Sequence, residues 1–596
     1  MTIRTKGKID KAIALVPYEG EGDSSLSQLV MLAQDLCARR GVRLTGTQRI
    51  LLINPFQMSV EFFDRSLLRR QRYFNYPPYG LGLLAAHLAG IDVEVDLLDV
   101  NHEILSAAPS TKEDVYELER RTVTERIGEF RPTIIGVTCM FTMTHDSFKR
   151  VASLCRSTLP SALIVGGGVH VSNDMKRIVE EVPQIDLLFP HESEHLFRSF
   201  VSTLLGKEVP AGDVEERYIP DYKDLRLSDY SKHGEIGSYR FLWSNETIAA
   251  TVQSNRGCRA RCSFCSVEHF NGKGVRGRTI GSVIDELKTL VEVYGINHIM
   301  WLDDDLFYTE DRAIVLFNEI VKANLGITWD ASNGVIASAV TEEILYAARE
   351  SGCIGMHVGI ESGNDRILRS IRKPSGRKHF LRCGELLLKF PEIFTKGFLI
   401  VGFPNETPAE IWDTISLAKE MALDWYTVSL LTPLPSTDIY DQMLEMGLLE
   451  GTDKNGARKT NYGSMQLGIQ KRLEEGGRTT LSNVFDLSDF DPTKPVPREH
   501  LASIWFEVDY EINYSSKFSM TDKNKLTKRL RFLHDVNVRM TLCNNPLVLQ
   551  HIAMLIGKLG VPIDDQDYNG KAMAIVNQSE LWTQRYNRFI SKDKTC

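Results

Sequence analysis

The chain of 596 residues has no run of ~18 uncharged apolar residues, so a helical membrane span is not expected. Its basic start, MTIRTKGKIDK, is followed by only a short apolar stretch at 12–16 before a proline and an acidic run, which makes a poor secretory signal. A chain-wide basic excess is missing as well: 70 Lys and Arg face 78 Asp and Glu, a net charge of −8, and this excludes a general nucleic-acid footprint. Cysteine is scarce, 10 residues in all, far below the density of a disulfide scaffold, which suits reduced thiols in a cytoplasmic compartment. Internal repeats and low-complexity tracts are absent, so each part is read as a unique domain. What remains, 43% hydrophobic and 25% charged residues, is ordinary globular composition with material for two or three large domains.

Residues 1–48 read as a leader with one amphipathic helix at 25–40. Over 49–206, short β-branched runs at 51–55, 93–100, 133–139, 162–168 and 185–190 alternate with helical stretches. That alternation predicts an α/β, Rossmann-like doubly wound parallel sheet, with ligands beyond the carboxyl ends of its strands. Residues 207–246, rich in Pro and Asp without clear periodicity, read as a linker. A second alternation over 247–450 places strands at 248–253, 297–302, 327–331, 353–360, 395–401 and 424–431. Six units are too few for a full eight-stranded barrel and predict a partial (β/α)6 TIM-type barrel with its chemistry on the loops after the strands. From 451 to 596 the chain turns polar and then helical, with an apolar helix at 545–559, and forms a mainly helical C-terminal module. Its aromatics Trp505, Tyr510, Tyr514, Phe518 and Trp582 fit either a cap over the barrel mouth or plain core.

Three of the ten cysteines, Cys258, Cys262 and Cys265, stand within eight residues as C-x3-C-x2-C directly after the first strand of the second series. The other seven are scattered at 37, 139, 155, 353, 383, 543 and 596. Thiolates select zinc or iron–sulfur clusters. His269, four residues past Cys265, would close a zinc site. Alternatively, three thiolates on a four-iron cubane leave one iron open to a small molecule, and a single tight loop at a barrel strand's carboxyl end favours this. Arg256, Arg259 and Arg261 flank the loop, either as cations that favour thiolate or as solvated surface charge.

The cysteine loop resembles the signature of radical S-adenosylmethionine (SAM) enzymes. The resemblance implies a [4Fe–4S] cluster whose open iron chelates SAM, cleavage of SAM to a 5′-deoxyadenosyl radical, and a reducing partner such as flavodoxin or ferredoxin. Other loops carry it further. In Asp303-Asp304-Asp305-Leu306-Phe307 it assigns Asp304 to the SAM amino group, with a solvated turn or divalent-metal site as alternatives. In Gly359-Ile360-Glu361-Ser362 it assigns Glu361, with Ser362, to the SAM ribose; a helix N-cap at Ser362 or Asn364 is compatible with that. The small residues around Gly402 admit an adenine ring or make a plain turn. The Pro433-Leu434-Pro435-Ser436-Thr437 loop is close to Pro-x-Pro-Gly-Thr but has Ser436 where relatives have Gly.

A Rossmann-like domain ahead of such a barrel resembles the cobalamin-binding domain of one subgroup. The matching stretches run from Pro77 to Leu81, Gly136 to Thr142, Gly166 to His170 and Pro190 to Glu194, so the likeness spans about 49–440. It implies cobalamin contacts from Thr138, Thr142, Gly166, Gly167, Gly168, His170 and Glu192. No Gly-x-Gly-x-x-Gly follows the first strand, which argues against NAD. No Asp-x-His-x-x-Gly occurs either, so no cobalt-ligating His is expected, and His145 and His170 read as loop hydrogen-bonders. The resemblance is to the class B radical SAM methyltransferases, which implies methylation of an unactivated carbon of a small-molecule substrate. A non-methylating cobalamin reaction, a domain that has lost its cofactor, and a zinc-stabilised metabolite-binding protein stay open.

Overall fold

The computed structural model describes residues 2–3, 13–15, 24–207, 219–223, 225–449, 484–515, 521–539, 545–560 and 567–591. Strands β1 (Thr2–Ile3), β2 (Ile13–Leu15), β3 (Gln48–Asn54), β4 (Val93–Asp99), β5 (Ile134–Thr138), β6 (Leu163–Gly167) and β7 (Leu187–Phe189) form one sheet, ordered β1-β2-β7-β6-β5-β3-β4. Only β1 against β2 is antiparallel. Helices Ser24–Arg39, Tyr79–Leu88 and Glu194–Leu205 cover one face, and Lys112–Phe130 with His145–Thr158 the other. Burial on both faces is why ILLI and IIGV read as unbroken apolar runs.

The expected leader belongs to this domain. β2 pairs with β7, and Leu29, Val30, Ala33 and Cys37 are buried against the sheet. An amphipathic helix read alone carries no sign of the surface it covers.

The second sheet contains β8 (Ala249–Val252), β11 (His298–Trp301), β12 (Thr328–Ile336), β13 (Cys353–Glu361), β14 (Phe394–Val401) and β15 (Trp425–Leu430), all parallel, in the order β15-β14-β13-β12-β11-β8. Spatial order follows chain order, as in an open barrel. β9 (Asn255–Arg256) and β10 (Arg276–Gly277) pair antiparallel and frame the cysteine loop. β12 continues past 331 through a register shift between Ala331 and Val335, where Ser332, Asn333 and Gly334 interrupt the apolar pattern.

The stretch expected as a linker is packed where it is described. Tyr222, Tyr230 and Tyr239 are buried, and a Cβ on Gly355 would sit 2.2 Å from the Tyr239 ring. Residues 208–218 and 224 of that stretch lie outside the described residues, as do 450–483, Phe518, Cys543 and Cys596.

The described C-terminal segments are mainly helical, and Asn545 caps the helix Pro546–Leu559 by accepting from the Leu547 amide at 2.9 Å. Trp505, Tyr510, Tyr514 and Trp582 are buried in the core shared with the barrel. This module also closes the barrel's open edge. Asn513 accepts from the Tyr426 amide at 2.9 Å and donates to the Tyr426 carbonyl at 2.8 Å, and the Trp505 indole donates to the Val428 carbonyl at 2.9 Å. A buried amide side chain thus replaces a missing strand on β15. Asn513→Ala removes the bonds that Asn513 makes to both Tyr426 backbone groups and is expected to cost about 2–4 kcal/mol in a denaturant melt.

Candidate active site

The cysteine loop leaves β9 through Gly257, whose φ of +85° and 2.3 Å Cβ distance to the Gly274 carbonyl admit only glycine. The Ser263 amide donates to the Ile371 carbonyl and the Ile439 amide to the Ser263 carbonyl, both at 3.0 Å, which clamps the loop over the barrel mouth. Cys258 and Cys262 are half-buried, and burial pushes both thiols up to about 11. They are neutral until a metal displaces the proton.

Of the two readings of the flanking arginines, cations that favour thiolate or solvated surface charge, Arg261 fits the second, while Arg256 and Arg259 are paired with carboxylates. Arg256 pairs with Glu194 at 2.6 Å and with Glu192 at 3.2 Å, Arg259 with the buried Asp305 at 2.9 Å, and Arg261 lies exposed, 3.7 Å from Glu268. Besides Arg372, which faces Cys262, the cation facing the thiols of Cys262 and Cys265 is Lys373, which sequence reasoning missed. It is buried and donates to Glu361 at 2.9 Å. No composition signal separates it from the other basic residues of its stretch.

The zinc set does not assemble. The His269 Nε2–H is donated to the Ser172 carbonyl at 3.1 Å, so the ring nitrogen that would close a four-ligand set is engaged by the first domain.

The triple Asp divides by partner. Asp303 is buried and accepts from the Ser254 amide at 2.9 Å and from its hydroxyl; Asp305 holds Arg259. Asp304 is half-buried and accepts from the Asn271 side-chain amide at 2.9 Å and from the Gly257 backbone amide, and burial pushes its carboxyl up to about 6. Its folded value lies above the ordinary one, so ionisation above about pH 6 costs the metal-free chain stability, and that cost fades as pH falls through 6. Asp304→Asn is therefore expected to raise the melting temperature of the metal-free protein more at pH 8 than at pH 4.5.

Glu361 ends β13 with φ +69°, a left-handed conformation rare outside glycine. Ser362 is a correction: it is fully buried, 3.3 Å from the Thr414 hydroxyl and accepting from the Asn364 amide, which leaves no face for a ligand. Asn364 is the N-cap of Asp365–Ser370. Gly402 is a turn, its amide donated to Glu406 at 2.7 Å, and a Cβ there would lie 2.9 Å from Leu501. The close approach is therefore made by the C-terminal module. Ser436 adopts φ +67°, the conformation glycine would take, and its hydroxyl donates to the Asn173 carbonyl of the first domain.

At the carboxyl ends of β3, β5, β6 and β7 lies a largely apolar cavity of about 130 Å³, lined by Thr138, Gly166, Gly167 and Gly168, with Met140, His191 and Glu194. A Cβ on Gly168 (φ +103°) would meet the Cys139 carbonyl at 2.6 Å. On Gly167 it would meet only the Phe189 carbonyl, at 3.4 Å, so that position faces open space. Met140 and Phe141 expose 41% and 40% of their surface on the β5 loop, apolar area consistent with a ligand face. Thr142 is buried in the turn Thr142–Thr144 and does not line the cavity. His170 is fully buried and bonds His145 at 3.0 Å, which in turn meets Glu181, so both are hydrogen-bonders as expected, and His170 is not a cavity contact. Glu192 is also a correction: its carboxylate is held by Arg276 at 2.8 Å and by Arg256.

Fold and site define a two-domain cofactor enzyme, with a glycine cradle on a doubly wound sheet and a three-thiol loop on an open barrel. Residues 252–418 match the Radical SAM superfamily and residues 65–201 the B12 binding domain. The chain is a radical SAM enzyme with an N-terminal B12-binding domain, and its cofactors are a [4Fe–4S] cluster, SAM and cobalamin. It is 29% identical over 395 residues to an uncharacterized methyltransferase of Pyrococcus horikoshii, covering 63% of this chain and 80% of that one. It is 25% identical to the cytidylyl-2-hydroxyethylphosphonate methyltransferase of Streptomyces wedmorensis, covering 68% and 83%. In fold it is similar to the cobalamin-dependent SAM radical enzyme OxsB with aqua-cobalamin and SAM bound, at TM-score 0.57 and 14% identity, covering 91% of this chain and 84% of that one. No described helix is long and apolar enough to cross a membrane.

Proposed function

We propose that this enzyme methylates an unactivated carbon of a small-molecule substrate held between the barrel mouth and the glycine cavity. The observation that carries this is the meeting of the two loops: His269, four residues past Cys265, bonds Ser172, four residues past Gly168. Cys258, Cys262 and Cys265 hold the cluster, Asp304 and Glu361 take the ammonium and ribose of SAM, and Thr138 with Gly166, Gly167 and Gly168 forms the cradle for cobalamin. When bound, these groups supply a 5′-deoxyadenosyl radical and a methyl group. The chain's own part is to orient them and exclude water. The names of both relatives, methyltransferases, support the reading. A flavodoxin- or ferredoxin-type protein supplies the electrons.

The test uses anaerobically reconstituted protein with cobalamin and candidate substrates. Release of 5′-deoxyadenosine and S-adenosylhomocysteine, with a product heavier by one methylene, is the expected result. Deoxyadenosine with a product lacking that mass marks non-methylating chemistry, and release of neither nucleoside overturns the reading. For the cradle, Gly167→Val fills the cavity from a position where an added Cβ meets only the Phe189 carbonyl, at 3.4 Å. It is expected to weaken hydroxocobalamin binding by about tenfold or more in an absorbance titration, with iron content unchanged.

A further inference from the structure

The seam between the domains is built from charges as well as packing. Arg256 lies in β9, two residues before Cys258, and its guanidinium reaches the first domain, donating to Glu194 at 2.6 Å and lying 3.2 Å from Glu192. Its Nε stays tied to the barrel through Gln253 at 3.0 Å. Glu194 lines the glycine cavity and begins the helix Glu194–Leu205. The pair is largely withdrawn from water, with side-chain exposures of 20% and 13%. Arg276, directly across the β9–β10 ladder from Arg256, holds Glu192 from the other side at 2.8 Å. Between Arg256 and Cys258 stands Gly257, packed so closely on the Gly274 carbonyl that no side chain fits. The path from cavity wall to cluster cysteine is therefore short and without slack.

Such a pair resists separation, because parting it leaves the Glu194 carboxylate without its cation in a poorly hydrated place. A displacement of Glu194 as the cavity fills is carried to Arg256 and from there to the Cys258 backbone. The His269–Ser172 and Ser436–Asn173 bonds tie the end of the cysteine loop and the loop after β15 to the segment after β6, so the pair works against a fixed frame.

We infer that Arg256 and Glu194 are a positioning pair that couples filling of the cobalamin cavity to binding of SAM at the cysteine loop. The inference rests on cobalamin occupying the glycine cavity. Coupling of this kind is reciprocal: whatever factor cobalamin lends to SAM affinity, SAM lends to cobalamin.

The experiment measures the SAM dissociation constant of the cluster-loaded full-length protein with and without saturating hydroxocobalamin. In the wild type cobalamin is expected to tighten SAM at least about fivefold. Arg256→Gln and Glu194→Gln are each expected to reduce that ratio below about twofold with iron per chain unchanged, whereas a merely structural role would lower iron content and both affinities together. Arg256→Lys keeps the charge but not the planar fork and is expected to give an intermediate ratio. If Arg256→Gln does not fold, Glu194→Gln reads the coupling from the other side. A wild-type ratio of one, or a full ratio in either Gln variant, overturns the inference. Undiminished cobalamin affinity in Gly167→Val instead sinks the cavity assignment, and the inference with it.

Discussion

Replacing Cys262 by alanine is expected to remove the brown colour of the reconstituted protein and to cut 5′-deoxyadenosine release by about a thousandfold or more. The size of the effect follows from the shortage of substitutes. Of the other seven cysteines, Cys37, Cys139, Cys155, Cys353 and Cys383 are buried in the domain cores and cannot turn toward the loop. His269 is tied to Ser172. Two thiols, with no replacement among the described residues, do not retain a cubane, and alanine, unlike serine, offers no oxygen in exchange. Because burial holds the Cys262 thiol up at about 11, loading of the wild-type cluster must release protons, and iron uptake is expected to fall as the reconstitution buffer is made more acidic. Iron and sulfide analysis beside nucleoside release decides the matter; wild-type iron content in Cys262→Ala would remove this cysteine from the ligand set.

The second large effect belongs to Glu361→Gln, which is expected to weaken SAM on the order of 100-fold and to destabilise the protein by about 3–5 kcal/mol. Two losses coincide. The carboxylate that would accept from the ribose hydroxyls becomes an amide, and Lys373, with 8% of its side chain exposed, is left as a buried ammonium without its partner. They can be separated. In Glu361→Gln with Lys373→Met the buried charge is gone, so thermal stability should return toward wild type while SAM affinity stays low. Recovery of both would mean that Glu361 serves only the ion pair, and unchanged SAM affinity in the single variant would take the ribose role from it.

These experiments rest on residues of two kinds. Some were legible from the sequence: apart from β1 and β2, which lie in the supposed leader, the strands of both sheets fall where the β-branched runs stand, and the C-x3-C-x2-C loop announces a candidate metal cluster because its three cysteines lie within eight residues. Others were not. Of three adjacent aspartates the resemblance points to Asp304, but only the structure supplies the physical reason, since Ser254 occupies Asp303 and Arg259 occupies Asp305. Ser362 looked available until Thr414, 52 residues on, was found against it. Glu192 resembled a cofactor contact but is held by Arg256 and Arg276 of the other domain. Lys373 gave no signal, since nothing local distinguishes a lysine that will be buried from one that will not.

By itself, then, the sequence determined the two parallel folds and the place of the candidate cluster loop, since apolar period and cysteine spacing are carried by neighbours along the chain. Only the tertiary structure decided which charges remain free for a ligand, that the first residues and the supposed linker belong to the packed body, and that the two loops meet. Those outcomes depend on hydrogen bonds and ion pairs between residues far apart in sequence, which come within reach only when both sheets have formed and their carboxyl ends face one another across the seam.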